Sequence, residues 1–79
     1  GEISPIVQVA IRPKQLEHLQ ELIDGLKLLC QADPCAETFI EEESGENILI
    51  TAGELHLEQC LSDLRGKFIS KNIDLIVSS

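Results

Sequence analysis

Few side chains in this sequence could carry acid–base or covalent chemistry. They are His18 and His56, the cysteines Cys30, Cys35 and Cys60, and carboxylates that include the run Glu41-Glu42-Glu43. A hydrolytic site needs a Ser or Cys nucleophile beside a His base that a third group orients. Spacing pairs neither histidine with such a nucleophile. A phosphate-binding loop needs several glycines ahead of a Lys and a Ser or Thr, and no such run occurs. His18 has polar neighbours on a predicted helix and reads as an exposed surface residue. His56 is better placed, at a helix start beside a glycine. There a structural part in the turn outweighs catalysis, because a general base also needs a pocket and a partner of matched pKa.

Metal chemistry is equally sparse. The cysteine count is odd and no C-x-x-C pair occurs, which argues against a disulfide framework and against a zinc ribbon. Buried reduced thiols, on helix faces and at a strand start, are the expectation. That usage fits a reducing compartment, cytosolic or nuclear. His56-x-Glu58 with Cys35 and Cys60 contains part of a zinc-deaminase signature, but the required Pro-Cys-x-x-Cys is missing after Pro34. The acid run with Glu46 reads as a solvated hairpin tip in preference to a metal or basic-partner contact.

The residues Gly53, Glu54, His56 and Glu58 remain as the candidate contact site. A strand alternating with period two over Ile48–Ala52 gives way at Gly53 to Leu57, Cys60, Leu61, Leu64 and Phe68 at helical spacing. Gly53 lets the backbone turn sharply. Glu54 then falls in the first helical turn, where a carboxylate suits the positive end of the helix dipole. His56 and Glu58 are placed on the polar flank of that turn. The corner has the shape of a docking point.

A chain of 79 residues makes one domain, which buries roughly 60–65% of its unfolded surface. Apolar residues are 43% of it, which excludes disorder. Fourteen acidic residues against six basic ones leave a net charge of -8, the opposite of the basic surface of a free-standing nucleic-acid binder. No signal peptide and no apolar run of membrane-spanning length is present. The absence of an initiating Met fits a piece of a larger protein.

In chain order, Gly1–Pro5 is an entry segment and Ile6–Ile11 the first strand, with Val7, Val9 and Ile11 on one face and Pro13 ending it. From Leu16 the apolar stripe Leu16, Leu19, Leu22, Ile23, Leu26, Leu29 and Cys30 predicts a helix, stopped at Asp33-Pro34. Gly25 within it marks a close approach of helix and sheet. Cys35–Glu41 is the second strand, with Phe39 and Ile40 as its bulk. Glu42–Glu46 is a hairpin loop, and Asn47–Ala52 the third strand. The second helix runs from Glu54 to Phe68, and Gly66 frays or caps its end. Ile73, Leu75 and Val77 mark the last strand.

The order β-α-β-β-α-β, with right-handed crossovers, gives an α+β ferredoxin-like sandwich: a four-stranded antiparallel sheet with both helices on one face. Leu22, Leu26, Leu57, Leu61 and Leu64 are expected between helices and sheet. The other face, carrying Gln8, Ala10 and Thr51, is open or covered by a neighbour. RNA recognition motifs share this topology but stack bases on aromatics of the two central strands. Neither predicted central strand has one. What remains is a non-enzymatic interaction module.

The segments Ser4–Lys14, Gly25–Leu29, Ala32-Asp33-Pro34-Cys35, Glu42–Glu46 and Ala52-Gly53-Glu54-Leu55-His56-Leu57-Glu58 resemble domain III of translational GTPases of the elongation factor two and elongation factor G branch. The resemblance covers nearly all of residues 1–79, in order. Cys30-Gln31-Ala32-Asp33-Pro34-Cys35 and Thr51-Ala52-Gly53-Glu54 are most like the elongation-factor-like GTPases of large ribosomal subunit maturation. Departures are an acid run one residue longer than the commonest hairpin, and Gly66 and Ser70 near the second helix end.

The resemblance implies a parent that binds GTP and Mg²⁺ in a separate G domain; this segment itself holds no cofactor, no metal and no catalytic residue. It implies as partners the G domain and C-terminal domains of the parent, the large ribosomal subunit, a Shwachman-Diamond-type cofactor and the anti-association factor. It implies a cytoplasmic location, no membrane contact and no sequence-specific nucleic-acid binding by this segment. Two alternatives stand beside it: domain III of the translocase elongation factor two, and a stand-alone ferredoxin-like ligand-binding regulatory domain.

Overall fold

The computed structural model describes residues 5–79; the entry segment through Ser4 lies outside the described residues. Strand β1 (Val7–Pro13) leads through a 3₁₀ turn (Leu16–His18) into helix α1 (Leu19–Ala32). Strands β2 (Glu37–Ile40) and β3 (Asn47–Thr51) form a hairpin. Helix α2 (Glu54–Asp63) continues into a π-helical turn (Leu64–Phe68), and strand β4 (Leu75–Ser78) completes the sheet.

The sheet order is β2-β3-β1-β4, and each of the three pairings is antiparallel. This is the ferredoxin-like arrangement, with β1 and β3 central. Val9 pairs with Leu49, Val7 with Thr51 and Ile11 with Asn47, which puts those six side chains on the helix side. Leu22, Leu26 and Leu29 of α1 and Leu57, Cys60 and Leu64 at α2 and its last turn close over them as one buried cluster. Thr51 therefore faces the helices and is buried, contrary to the expectation that it lies on the open face; register fixes its side. The opposite face carries Gln8 and Ala10 beside Ile50 and Ile48, with Phe39 next to Ile48.

Several expectations shift at the element ends. Leu16 is 79% exposed, because the 3₁₀ turn breaks the phase of the helical stripe before α1 begins. The first strand continues through Pro13, whose missing N–H is tolerated because the ladder passes on to Lys14 N–H, which donates to the Asp74 carbonyl at 2.8 Å. Strand β2 is only four residues long and lies at an edge, so Phe39 and Ile40 stay 44% and 55% exposed. Cys35 precedes β2 and is exposed, whereas Cys30 is half-buried and Cys60 buried. His18 is also half-buried.

The second helix does end at Phe68, but its last turn widens: Ile69 N–H donates to the Leu64 carbonyl at 3.0 Å, a span of five residues. Leu57, Cys60 and Leu64 share one α-helical face, so Leu64 is fully buried while Leu61, at its flank, is only partly so. The widened turn brings Phe68 and Ile69 onto α1. A Cβ on Gly25 would stand 2.5 Å from Ile69 Cγ2 and 3.1 Å from the Phe68 carbonyl oxygen. Gly25 is thus a close-packing point against the π turn, not against the sheet.

Candidate interdomain contact site

At the end of β3 the chain reverses within two residues. Gly53 has φ 138° and ψ 176°, a region that glycine alone adopts without strain. Among the described residues, a Cβ there would meet only the Pro5 carbonyl oxygen, at 3.7 Å. The obstacle to any other residue is therefore conformational. The Gly53 carbonyl accepts the first helical bond, from Leu57 N–H at 2.9 Å. It also accepts from the Thr51 hydroxyl at 3.2 Å.

His56 completes this turn. Ala52 N–H donates to His56 Nδ1 at 2.8 Å, which leaves the ring proton on Nε2. From there it is donated to Asp33 Oδ2 at 2.6 Å. Asp33 Oδ1 in turn accepts Cys35 N–H at 2.9 Å, and the Cys60 thiol points at Oδ2 from 3.6 Å. The imidazole thus ties the end of α1 to the start of α2. The hydrogen bond from His56, then that from Cys35 N–H, holds the Asp33 carboxyl below its ordinary range. Burial first, and then the Asp33 charge, pushes the Cys60 thiol up to about 12.

The ligand-type atoms of Asp33, His56 and Cys60 lie within 4.8 Å of one another, so the donor set has to be weighed as a metal site. The hydrogen bonds around it are wrong for one. A neutral His that binds metal through Nε2 carries its proton on Nδ1 and donates it onward, but here Nδ1 faces the Ala52 N–H, itself a donor. The cluster is a hydrogen-bonded clasp.

Of the four predicted residues, Gly53 forms the turn, while Glu54 and Glu58 are exposed on α2. His56 is turned inward, its side chain 20% exposed, and acts on the corner from beneath. Leu55, between Glu54 and His56, is 80% exposed, and Ile6, next to Pro5, is 73% exposed. Sequence reasoning passed over both apolar side chains, along with Asp33. The sign available for Leu55 was its place off the apolar stripe of α2. For Asp33 it was a carboxylate at the helix-ending Asp33-Pro34 step.

Fold and corner together define a ferredoxin-like domain with a hydrogen-bonded strand-to-helix junction. The family model described as Elongation Factor G, domain III, matches residues 4–74. The chain belongs to that family, a non-catalytic domain of translational GTPases. It is 49% identical over 74 residues to elongation factor-like GTPase 1 of Mus musculus, which covers 94% of this chain and 6% of that protein. The Homo sapiens protein of the same name is 47% identical, also over 74 residues. Ribosome assembly protein 1 of Saccharomyces cerevisiae is 55% identical over 65 residues, 82% of this chain and 6% of that protein. The chain thus spans about 6% of the length of these relatives.

Proposed function

We propose that this chain is the domain III of a ribosome-associated GTPase, and that it relays the nucleotide state of a separate G domain, which holds GTP and Mg²⁺, to the ribosome. The finer reading is a role in cytoplasmic maturation of the large subunit, where GTP turnover with a Shwachman-Diamond-type cofactor releases the anti-association factor. The observation that carries it is the likeness, across 94% of this chain, to a relative named an elongation factor-like GTPase, together with the likeness to one named for ribosome assembly. The geometry supports a relay because the Gly53 corner is stiff. It is pinned through Thr51, His56 and Asp33, so a push on Glu54, Leu55 or Glu58 moves α2 as a body.

The test uses the full-length parent. Glu54→Lys reverses a charge at the start of α2, and Leu55→Ala trims an exposed contact; neither removes a buried group. Large-subunit-stimulated GTP hydrolysis should fall in both, while GTP affinity without ribosomes stays unchanged. Unaltered stimulated turnover in both variants would reduce the corner to architecture.

A further inference from the structure

The basic residues of this acidic domain are not spread evenly. Of six Lys and Arg in the chain, Arg65, Lys67 and Lys71 fall in the nine residues from Leu64 to Asn72, a stretch without a single carboxylate. The π turn carries the first two. Arg65 and Lys71 line one open groove of about 710 Å³ between α2 and the approach to β4, with Leu61, Ser62, Gly66 and Ile73 among its walls. Glu58 and Asp74 stand in the same lining.

The cations in that groove are available. Lys67 leans on Asp63 at 3.7 Å, but neither Arg65 nor Lys71 makes an ion pair among the described residues. On α1, the carboxylate of Glu21 is already engaged. Its Oε2 accepts both the backbone N–H and the hydroxyl of Ser70 at 2.7 Å. This pair of hydrogen bonds to α1 fixes the residue next to Lys71, so the lysine projects from a held backbone. The π turn is the matching device on the other side. It is a rare element frequently found at functional sites, and here it offers Arg65 to solvent while Leu64 stays buried.

We infer that Arg65 and Lys71 form a docking patch for the phosphate backbone of RNA. This rests on the ribosome-associated reading for the source of the RNA. Two unpaired cations on a carboxylate-free segment complement phosphates; the central strands offer no aromatic for base stacking, so the contact is to backbone and reads no sequence. In a domain of net charge -8 the patch also orients the approach, since the remaining surface repels a polyanion.

The experiment compares the full-length parent with Arg65→Glu/Lys71→Glu and with the matched control Lys14→Glu/Lys27→Glu, whose cations are exposed elsewhere on the domain. Binding to purified large ribosomal subunits is measured over a series of salt concentrations. The patch variant should bind roughly tenfold more weakly at physiological salt, with the slope of log K against log salt reduced by about 1 to 2, while the control keeps the wild-type slope. Equal slopes for patch variant and control overturn the inference. So does a photocrosslinker at position 65 that labels ribosomal protein and not RNA, which would point to an acidic polypeptide instead. Should the parent not bind subunits at all, the ribosome reading fails by itself. A plain duplex RNA then decides for the patch: selective loss in the patch variant supports it, and equal or no binding overturns it.

Discussion

The Asp33 carboxylate and the His56 imidazole lie 2.6 Å apart, although 23 residues separate them in the chain. Because His56 Nδ1 is occupied by Ala52 N–H, the bond to Asp33 has a single proton arrangement, and the carboxylate is its acceptor. The pair closes the seam between the end of α1 and the start of α2 directly beneath the Gly53 turn. Truncating one partner leaves the other's polar atom half-buried and unmatched. A double-mutant cycle with Asp33→Ala and His56→Ala, read by urea unfolding, should give a coupling of about 1–2 kcal/mol, tempered by partial exposure. Additive losses would mean that the contact stabilises nothing.

The same clasp sets part of the acid sensitivity. The Asp33 carboxyl is held below its ordinary value by His56 and Cys35 N–H. A depressed carboxylate contributes stability that is fully present above the unfolded Asp value of about 3.9 and is lost as pH falls through the folded value. Glu21, lowered by its bonds to Ser70, acts in the same direction. Asp33→Asn should therefore flatten the acid limb of the stability curve below about pH 5 without abolishing it. An unaltered limb in that variant would assign the acid loss to other carboxylates.

The burial pattern along α2 and its π turn makes Leu64 and Leu61 unequal. Leu64 is fully buried, whereas Leu61 lines the open groove beside Arg65. Leu64→Ala should cost about 2–5 kcal/mol, and Leu61→Ala markedly less. Equal costs in denaturant titrations would show that Leu61 is packed as deeply as Leu64 in solution.

How far the molecule was legible in its sequence can be followed along these same residues. Period-two alternation at Val7, Val9 and Ile11, and the change of period at Gly53, were enough for the element order and the sheet. Local patterns could not reveal the π turn, because it answers to packing against Gly25. They could not place Thr51 either, since its face is set by register against Val7. At the corner, the turn at Gly53 and the place of Glu54 in the first helical turn were legible from turn chemistry and the change of period. The clasp was not. Asp33 reaches His56 only through the tertiary fold, and no spacing rule encodes a bond across 23 residues.

The three cysteines differ enough in environment for a chemical test of the whole arrangement. Cys35 is exposed, Cys30 half-buried, and Cys60 buried against Asp33. Burial pushes Cys30 up from its ordinary value and Cys60 to about 12. The thiolate is the nucleophile, so both burial and charge slow Cys60. In the native domain near neutral pH, a small thiol reagent should label Cys35 first and Cys30 more slowly. Cys60 should be protected by the opening equilibrium of the core. Denaturant should release all three as titratable thiols. Asp33→Asn removes the charge beside Cys60 but leaves it buried, so its labelling should quicken only as far as the clasp loosens. Peptide mapping after timed labelling gives the order. If native Cys60 reacted as fast as Cys35, the junction of α1 and α2 would be open in solution, and the clasp beneath Gly53 would have to be abandoned.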